Sequence, residues 1–294
     1  MNACTFDEAV QIWNAGFKGY FVDTTLSLDG YVARLHNEGL SPEYSLIAFR
    51  AGKPAGFLLN GIRTNGGKKV AWNGGTGVDP EFRGQGIGTV LLEAALNLYA
   101  EEGVELATLE AISANNAAIA LYQKFGYEII ERLIFLQRDG AIPAKFSRHC
   151  DSDSYSIRSV SPASVAGLSF YESSVPWQAQ WQSLFSSNDE ALVIYDGRGE
   201  AVGYALYKRK FDDEGKLSAI VLYQCVACPG KGNAESIVGR ALEEVYGPLD
   251  AECRRSTHNL SRKNELVVRL LAEAGFTTFI EQVHMAKTLE SSSS

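Results

Sequence analysis

Several features that mark other classes of protein are missing from this sequence. No apolar run approaches the roughly 20 residues that a membrane-spanning helix needs. The N-terminus has no basic segment followed by an apolar one, as a secretory signal would have. The five cysteines are scattered and odd in number, which argues against a disulfide framework and for a reducing compartment. We therefore expect a cytoplasmic protein with no membrane partner.

Features typical of metal sites and nucleic-acid interfaces are also scarce. Cys225 and Cys228 form a C-x-x-C pair, but no second Cys or His pair stands at the spacing of a zinc site. The formal net charge is -8, whereas a nucleic-acid-binding domain usually carries a basic patch. We expect neither a bound metal nor a nucleic-acid partner.

The composition that is present is that of a globular chain. Its 294 residues are 46% hydrophobic and 21% charged, which suits one large domain or two ordinary ones. Through residue 138 the patterns follow the order α-α-β-β-β-α-β-α-β, and the first helix begins at a capping box of Thr5 and Glu8. The helix after Gly86 is predicted to turn a stripe toward the core that comprises Val90, Leu91, Ala94, Ala95 and Leu98.

The most informative stretch is the loop over residues 78–89, between a strand-like run and a helix. Its core, Arg-Gly-Gln-Gly-Ile-Gly from Arg83 to Gly88, places one cation among three glycines. Glycine lets a ligand approach the main chain closely, and the free amides at a helix start bind anions. The glycine spacing is neither G-x-G-x-x-G nor that of a P-loop. The loop predicts a pyrophosphate site or, alternatively, a glycine-rich turn that binds nothing.

The second half of the chain repeats the first. Three landmarks recur at separations of 147, 149 and 146 residues, namely Gly56 with Gly203, Gly126 with Gly275, and Arg83 with Pro229. A nearly constant separation indicates two copies of one domain. We predict a first domain at 1–140, a Ser- and Pro-containing linker at 141–154, a second domain at 155–290 and a disordered tail at 291–294.

A second motif identifies a family. Residues 115–127, Asn-Asn-Ala-Ala-Ile-Ala-Leu-Tyr-Gln-Lys-Phe-Gly-Tyr, follow the glycine loop at a distance that resembles the GCN5-related N-acetyltransferases. The resemblance covers most of residues 1–138 and, more weakly, 155–289. It implies an α/β (α+β) fold with two tandem acetyltransferase domains, each a mixed, mostly antiparallel sheet flanked by helices. It also implies acetyl-CoA as cosubstrate.

The resemblance also implies which residues bind that cosubstrate. The amides of Gly77 and Val78 are expected to hold the pantetheine arm in a gap beside the sheet. Asn115 is expected either to contact the cosubstrate or to cap the following helix, a position that favours Asn without any ligand. The pyrophosphate is expected on Arg83, Gly84, Gln85, Gly86, Ile87, Gly88 and Thr89.

Two residues are candidates for proton transfer. Tyr122 matches the family's general acid, and a phenol with a pKa near 10 keeps its proton at neutral pH; its alternative role is a core tyrosine. The strand over 70–78 carries no carboxylate, although many relatives have a Glu there. Glu110 stands 12 residues before Tyr122, as in the ribosomal-protein alanine acetyltransferases. It is therefore a candidate general base or, alternatively, a structural carboxylate.

The second copy has lost the residues that carry this chemistry. Arg83 corresponds to Pro229, Gly88 to Ala234 and Tyr122 to Leu271. Leucine donates no proton, and proline supplies neither a charge nor an amide. We expect the second domain to be catalytically inactive. Mycothiol synthase has a similar two-domain plan with its active copy second, whereas the intact copy here is first.

These observations predict an acetyl-CoA-dependent N-acetyltransferase. Its acceptor is expected to be a primary amine of a small molecule or peptide, acetylated directly within a ternary complex. Two alternatives stay open, namely a non-catalytic acyl-CoA-binding or sensor protein and an enzyme with a thiol or hydroxyl acceptor. The sequence identifies neither the acceptor, nor the acyl-chain preference, nor the oligomeric state.

Overall fold

The computed structural model describes residues 1, 4–143, 146, 155–186 and 188–289. The chain forms two compact units. The first unit comprises residues 1–130 and 283–294, and the second unit comprises residues 131–282. Most of the predicted linker at 141–154 and all of the predicted tail at 291–294 lie outside the described residues. No helix in the described ranges is long and apolar enough to cross a membrane.

The N-terminal half follows the predicted order of elements, which confirms that expectation. A short 3₁₀ helix, Pro80–Phe82, is added between the third strand and the third helix. The regular elements are α1 (Phe6–Gly16), α2 (Leu28–Glu38), β1 (Ser41–Arg50), β2 (Lys53–Asn65), β3 (Lys68–Val78), α3 (Ile87–Glu101), β4 (Leu106–Ile112), α4 (Asn116–Lys124) and β5 (Glu128–Asp139).

Local sequence signals explain where several helices begin and end. The capping box at α1 is confirmed, since the amide of Thr5 donates to Glu8 Oε2 at 2.7 Å and the amide of Glu8 donates to Thr5 Oγ1 at 3.2 Å. Ser27 caps α2, and Gly39 ends that helix at a φ of 64°. These contacts are local, which is why the sequence predicts them well.

The stripe predicted on α3 was wrong at two positions. Val90 is 56% exposed and Ala94 is also exposed. The face of α3 that packs on the sheet instead comprises Ile87, Leu91, Leu92, Ala95 and Tyr99. The predicted stripe and the observed buried face both fit a helical period, because Leu91 and Leu92 are adjacent apolar residues and either face can include them. Contact with the sheet therefore decides between them.

The sheet of the first unit opens between its third and fourth strands. β1, β2 and β3 are antiparallel, and β3 pairs in parallel with β4. That parallel pairing runs from Val70 opposite Leu106 to Asn73 opposite Leu109, where it ends. A β-bulge at Gly74 follows at once, since Leu59 lies opposite Gly75 and Asn60 opposite Asn73. The last four residues of β3, 75–78, therefore pair with β2 alone.

The C-terminal half repeats this order from its second strand onward. In place of the helix pair α1–α2 it has three short 3₁₀ helices, Pro162–Gly167, Trp177–Ala179 and Trp181–Ser183. Its regular elements are β6 (Ser156–Val160), β7 (Asp189–Tyr195), β8 (Ala201–Phe211), β9 (Leu217–Ala227), α5 (Ala234–Tyr246), β10 (Arg254–Thr257), β11 (Leu260–Ser261), α6 (Glu265–Glu273) and β12 (Thr277–Thr288).

The strand that closes each unit is not the strand that the predicted domain boundaries place there. β4 neighbours β12, and Val283 and Met285 of β12 belong to the core of the first unit. β10 neighbours β5, and Ile134 and Leu136 of β5 belong to the core of the second unit. Residues 131–139, predicted to close the first domain, thus close the second unit. Strands β5 and β12 occupy equivalent places in the repeat, so their own sequences do not specify which sheet each joins.

Candidate active site

The open edge of β3 is the first component of the site. Gly75, Thr76, Gly77 and Val78 pair with β2 on one side and have no strand partner on the β4 side. Glycine at 77 has a packing reason, because a Cβ there would lie 2.4 Å from the Phe57 ring. The peptide groups along this edge can bind an extended ligand in the manner of an added strand.

The glycine loop beyond β3 presents free amides. Gly84 and Gly86 adopt φ angles of 74° and 82°, a conformation that suits glycine. Gly86 is the N-cap of α3 and supplies no side chain to cap it. The first helical bond is from Val90 N to Gly86 O at 3.1 Å. Within the described part of the chain, the amides of 84–89 make no hydrogen bond, so they form an anion site.

Arg83 ties this loop to the end of α1. Its Nε donates to the carbonyl of Val78 at 3.0 Å, and its Nη2 donates to the carbonyls of Gly16 and Lys18 at 3.1 and 3.0 Å. Its Nη1 makes no hydrogen bond to the described residues, so one arm of the fork is left for a ligand. Arg83 thus has a clear structural role, and its predicted phosphate contact stays a prediction.

The other predicted loop residues have mixed surroundings. Gln85 donates from Nε2 to the carbonyl of Glu81 at 2.9 Å. Ile87 is 8% exposed and belongs to the core. A Cβ at Gly88 would lie 3.1 Å from Leu121, so glycine there lets α3 approach α4 closely. For Ile87 and Gly88 only the main-chain amides are therefore available to a ligand, whereas Thr89 is partly exposed.

Tyr122 is a core tyrosine whose hydroxyl lies near the end of the β3–β4 pairing, and its role as general acid stays a prediction. Its ring is buried in the first unit's core, 7% exposed, with the Tyr127 ring centroid 6.0 Å away. Its hydroxyl is in hydrogen-bonding reach of Thr76 and Asn73, at the point where β3 leaves β4. Burial raises the pKa of Tyr122, and these two hydrogen bonds only partly offset that effect. The phenol therefore holds its proton at neutral pH.

Asn115 caps a helix and lies beside Tyr20. Its side chain accepts a hydrogen bond from the amide of Ala118 at 3.2 Å, so it caps α4. The same side chain is close enough to the Tyr20 phenol to influence its pKa. Burial raises the pKa of Tyr20, so this phenol also remains protonated. Tyr20 lies in the segment between α1 and α2, where no motif pointed to it.

Glu110 is enclosed on the other face of β4. Leu109 and Ala111 pack into the core with α3 and α4, so the alternating Glu110 points to the opposite face. Its side chain is 6% exposed, and Trp72 Nε1 donates to its Oε2 at 2.7 Å. Burial raises the pKa of Glu110 to about 7, the Trp72 hydrogen bond lowers it and the charge of Glu38 raises it. Such a carboxyl exchanges protons near neutral pH.

A second titratable side chain accompanies Glu110. His284 Nε2 lies 3.6 Å from Glu110 Oε1, and the His284 side chain is 6% exposed. His284 is on β12, more than 170 positions along the chain from Glu110, so no local sequence signal could have identified it. No hydrogen bond between described residues joins Glu110 to Tyr122. The base and acid candidates are instead separated by the opening between β3 and β4.

The C-x-x-C pair consists of one buried and one partly buried thiol. Cys225 and Cys228 are free thiols, and burial raises the pKa of Cys225 to about 12. A thiol with so high a pKa is unreactive at neutral pH. Over the described ranges, no three His, Cys, Asp or Glu side chains are grouped so as to hold a metal ion.

Comparison with known proteins fits this geometry. A model of the acetyltransferase (GNAT) family matches residues 7–127, which include the open edge of β3, the glycine loop and Tyr122. These residues therefore carry a domain of the GCN5-related N-acetyltransferase (GNAT) family. This confirms the resemblance carried by the two motifs.

The curated relatives of this GNAT chain match it only in part. Mycothiol acetyltransferase of Propionibacterium freudenreichii is 27% identical over 146 residues, which are 49% of this chain and 45% of that protein. The ribosomal protein bS18 alanine N-acetyltransferase of Escherichia coli is 38% identical over 65 residues, which are 21% of this chain and 44% of that protein. The chain thus spans less than half the length of either relative.

A solved structure extends the fold comparison to the whole chain. A tandem GNAT protein from the clavulanic acid biosynthesis pathway has a TM-score of 0.62 and 15% identity, over 97% of this chain and 94% of that one. At such identity the likeness shows the fold alone. It confirms the predicted fold class, two tandem domains of this family with mixed sheets and flanking helices.

Proposed function

We propose that this GNAT protein is an acetyl-CoA-dependent N-acetyltransferase whose first unit acetylates a primary amine of a small molecule or peptide. The observation that carries the proposal is the meeting of three features at the end of β3. These are the open edge over 74–78, the uncapped amides of α3 and the buried hydroxyl of Tyr122. An extended thioester with a pyrophosphate requires this combination of peptide edge, anion site and proton donor.

Binding in this proposal is mostly by main chain. The GNAT family uses acetyl-CoA as its cosubstrate, which supplies the acetyl group as a thioester. The amides from Gly84 to Thr89 hold the pyrophosphate, and the free arm of Arg83 adds a charged donor. The peptide groups of Gly77 and Val78 hold the pantetheine arm along the open edge. Tyr20 lies beside Asn115 at the start of α4.

Proton transfer in this proposal involves Glu110 and Tyr122, on the two sides of the opening between β3 and β4. Glu110, whose pKa burial raises to about 7, takes a proton from the acceptor ammonium and leaves the amine lone pair free to form the new C–N bond. The Val78 amide donates to the carbonyl oxygen as negative charge develops there. Tyr122 donates its proton to the sulfur as the C–S bond breaks. After attack the nitrogen loses its second proton to solvent, so the products are the acetylated amine, CoA and one released proton. Solvent returns the proton of Glu110 to the phenolate.

The class of acceptor is inferred from chemistry rather than from any relative. The names of the two relatives above point to different acceptors, mycothiol chemistry in one case and a ribosomal-protein alanine in the other. A buried carboxylate as base suits an acceptor that arrives as a cation. We therefore propose an amine, without a commitment to one metabolite or peptide.

One observation favours a second candidate function. Glu110 is only 6% exposed, and one of its oxygens is already bonded to Trp72. If that carboxylate is structural, the first unit binds acetyl-CoA without transferring its acetyl group, as a sensor would. The binding features are the same in both cases, so only turnover separates them.

Release of CoA thiol in the presence of a panel of amines tests the proposal. The panel comprises aminoglycosides, polyamines, amino acids and peptide N-termini, together with thiol and hydroxyl analogues. We expect release with at least one amine and a loss of 100-fold or more in kcat for Tyr122→Phe, since general acid catalysis is worth about 10²–10⁴. Acetyl-CoA affinity should not change.

Tyr127→Phe is the matched control for that experiment. Tyr127 is also a buried tyrosine of the same core, but its hydroxyl makes no hydrogen bond to the described residues. Its removal should leave turnover unchanged. Equal activity of the wild type and Tyr122→Phe across the pH range would remove Tyr122 from the mechanism, and tight acetyl-CoA binding without release would favour the sensor.

A further inference from the structure

The contact between Glu110 and His284 is not explained by packing alone. Both side chains are almost fully buried, at 6% exposure each, and His284 Nε2 lies 3.6 Å from Glu110 Oε1. The other oxygen of Glu110 accepts from Trp72 Nε1 at 2.7 Å. The carboxylate therefore lies between a neutral donor and an imidazole. Burial of two ionisable groups is costly unless they stabilise each other's charge.

The other charged groups near Glu110 do not provide a positive partner. The charge of Glu38 on α2 raises the pKa of Glu110, so it opposes ionisation. Glu38 pairs with Arg34 at 3.0 Å, and Arg34 also donates to the carbonyl of Gly74 and lies over the Trp13 ring. Among the groups with a described contact to Glu110, only His284 can become a cation.

The second unit lacks this pair at equivalent positions. The β3–β4 pairing ends with Leu109, directly before Glu110, and the β9–β10 pairing ends with Thr257, directly before His258. His258 thus stands where Glu110 stands, and Phe135, 149 positions before His284, packs on it with ring centroids 4.8 Å apart. The carboxylate–imidazole pair is therefore confined to the unit that also keeps Arg83 and Tyr122.

We propose that His284 is a positioning residue for Glu110, which orients its carboxylate and favours its ionised form from the last strand of the chain. This inference rests on the proposed function for its catalytic consequence, but the pairing itself can be tested without any acceptor. An imidazolium at His284 would stabilise the ionised form of Glu110, which is the form that takes a proton. When Glu110 has taken that proton, the imidazolium at Oε1 promotes its release to solvent.

Titration of the carboxyl group tests the pairing directly. The full chain is labelled with ¹³C at the glutamate side-chain carboxyls, and the carboxyl that titrates near neutral pH is assigned by its absence in Glu110→Gln. In His284→Leu we expect its midpoint to move upward by about 1 unit, because an adjacent positive charge is lost. His284→Gln keeps a polar side chain that cannot carry charge, so it should shift the midpoint in the same direction and is the variant to use if the leucine protein does not fold.

His258→Gln is the matched control, since His258 lies beside an aromatic ring in the second unit and should leave the Glu110 midpoint unchanged. With an accepted amine, the acidic limb of the kcat/KM profile should move upward in His284→Gln by the same amount as the carboxyl midpoint, while the KM for acetyl-CoA stays constant. A midpoint that is the same in the wild type, His284→Gln and His284→Leu would overturn the inference. A shifted midpoint in a protein that accepts no amine would instead overturn the proposed function and leave the pairing intact.

Discussion

The two units have the same fold but treat the equivalent opening in opposite ways. In the first unit the side chain of Asn115 caps α4, and among the described residues it makes no hydrogen bond to β3. In the second unit the equivalent Asn264 donates from Nδ2 to the carbonyl of Cys225 on β9 at 3.2 Å. That bond crosses from the N-terminus of α6 to the strand edge. The same asparagine position thus bridges the opening in the second copy and not in the first.

The loops that follow show the same contrast. Gly86 leaves the amides of α3 uncapped, whereas Asn233 accepts from the amides of Glu235 and Ser236 at the start of α5, at 3.1 and 3.3 Å. The cation of the second loop, Lys231, is paired with Glu200 at 2.6 Å. The second unit therefore satisfies its anion site with its own side chains. We therefore predict that the first copy binds acetyl-CoA and the second does not.

Removal of residues 283–294 should give the largest difference in stability between the two units. The deletion takes Val283 and Met285, both at most 2% exposed, out of the first unit's core while leaving residues 131–282 complete. Loss of each such side chain costs about 2–5 kcal/mol, and the pair is comparable with the whole stability of a domain, about 5–15 kcal/mol.

Hydrogen exchange measures this outcome unit by unit. We expect amides of α3 to lose protection and amides of α5 to keep it. Removal of residues 290–294 alone is the control and should change neither. Undiminished protection of α3 in the larger deletion would contradict the assignment of the last strand to the first unit.

A pair of aspartate substitutions tests which loop binds the pyrophosphate. Gly84 and Gly230 occupy equivalent positions and have φ angles of 74° and 72°, and a Cβ added at either one would meet no atom within 4 Å. The conformational cost of Asp is thus the same at both. We expect Gly84→Asp to weaken acetyl-CoA binding 100-fold or more, about 3 kcal/mol, by repulsion of phosphate, and Gly230→Asp to have no effect.

Calorimetric titration gives both the affinity and the number of sites. The wild type and Gly230→Asp should bind one acetyl-CoA per chain. Two sites per chain, or equal losses in the two variants, would show that the second loop also binds the cosubstrate.

The pH dependence of stability should separate the buried carboxyl of the first unit from ordinary surface acids. Burial raises the folded-state pKa of Glu110 from 4.5 to about 7, so the folded state holds a proton that the unfolded state releases between those values. Stability from this group is therefore present below about pH 4.5 and falls as the pH rises to about 7.

Glu110→Gln removes this dependence and keeps an acceptor for Trp72. Relative to the wild type it should stabilise the protein by up to about 3 kcal/mol at pH 8 and by close to nothing at pH 4. Denaturant unfolding at both pH values measures the difference, and His258→Gln in the second unit should show no such trend. Equal stabilisation at pH 4 and pH 8 would indicate that the charge of Glu110 is not the cause.

Arg83→Lys should have the smallest effect. Lysine keeps the positive charge but cannot donate in a fork to the carbonyls of Val78, Gly16 and Lys18, so we expect a loss of about 1 kcal/mol in unfolding free energy. Acetyl-CoA affinity should fall less than tenfold in a binding titration. A loss of affinity without any loss of stability would assign Arg83 to the ligand rather than to the loop.

Features that depend on neighbours along the chain could be predicted from the sequence. The capping box at Thr5, the order of elements to β5, the glycine loop and the cap at Asn115 are all local, because turns, caps and helix starts involve residues a few positions apart. Tyr122 was found because its motif is contiguous with that cap. The repeat was found because it preserves these local signals at a nearly constant separation.

Which strands and side chains meet depends instead on tertiary packing. β5 and β12 are equivalent in the repeat, so the choice of sheet depends on contacts made far along the chain, and that choice brings His284 to Glu110. The burial that raises the pKa of Glu110 and the proximity of Tyr20 to Asn115 arise in the same way. Non-local packing leaves no short pattern in a sequence, which is why these parts of the site could not be read from it.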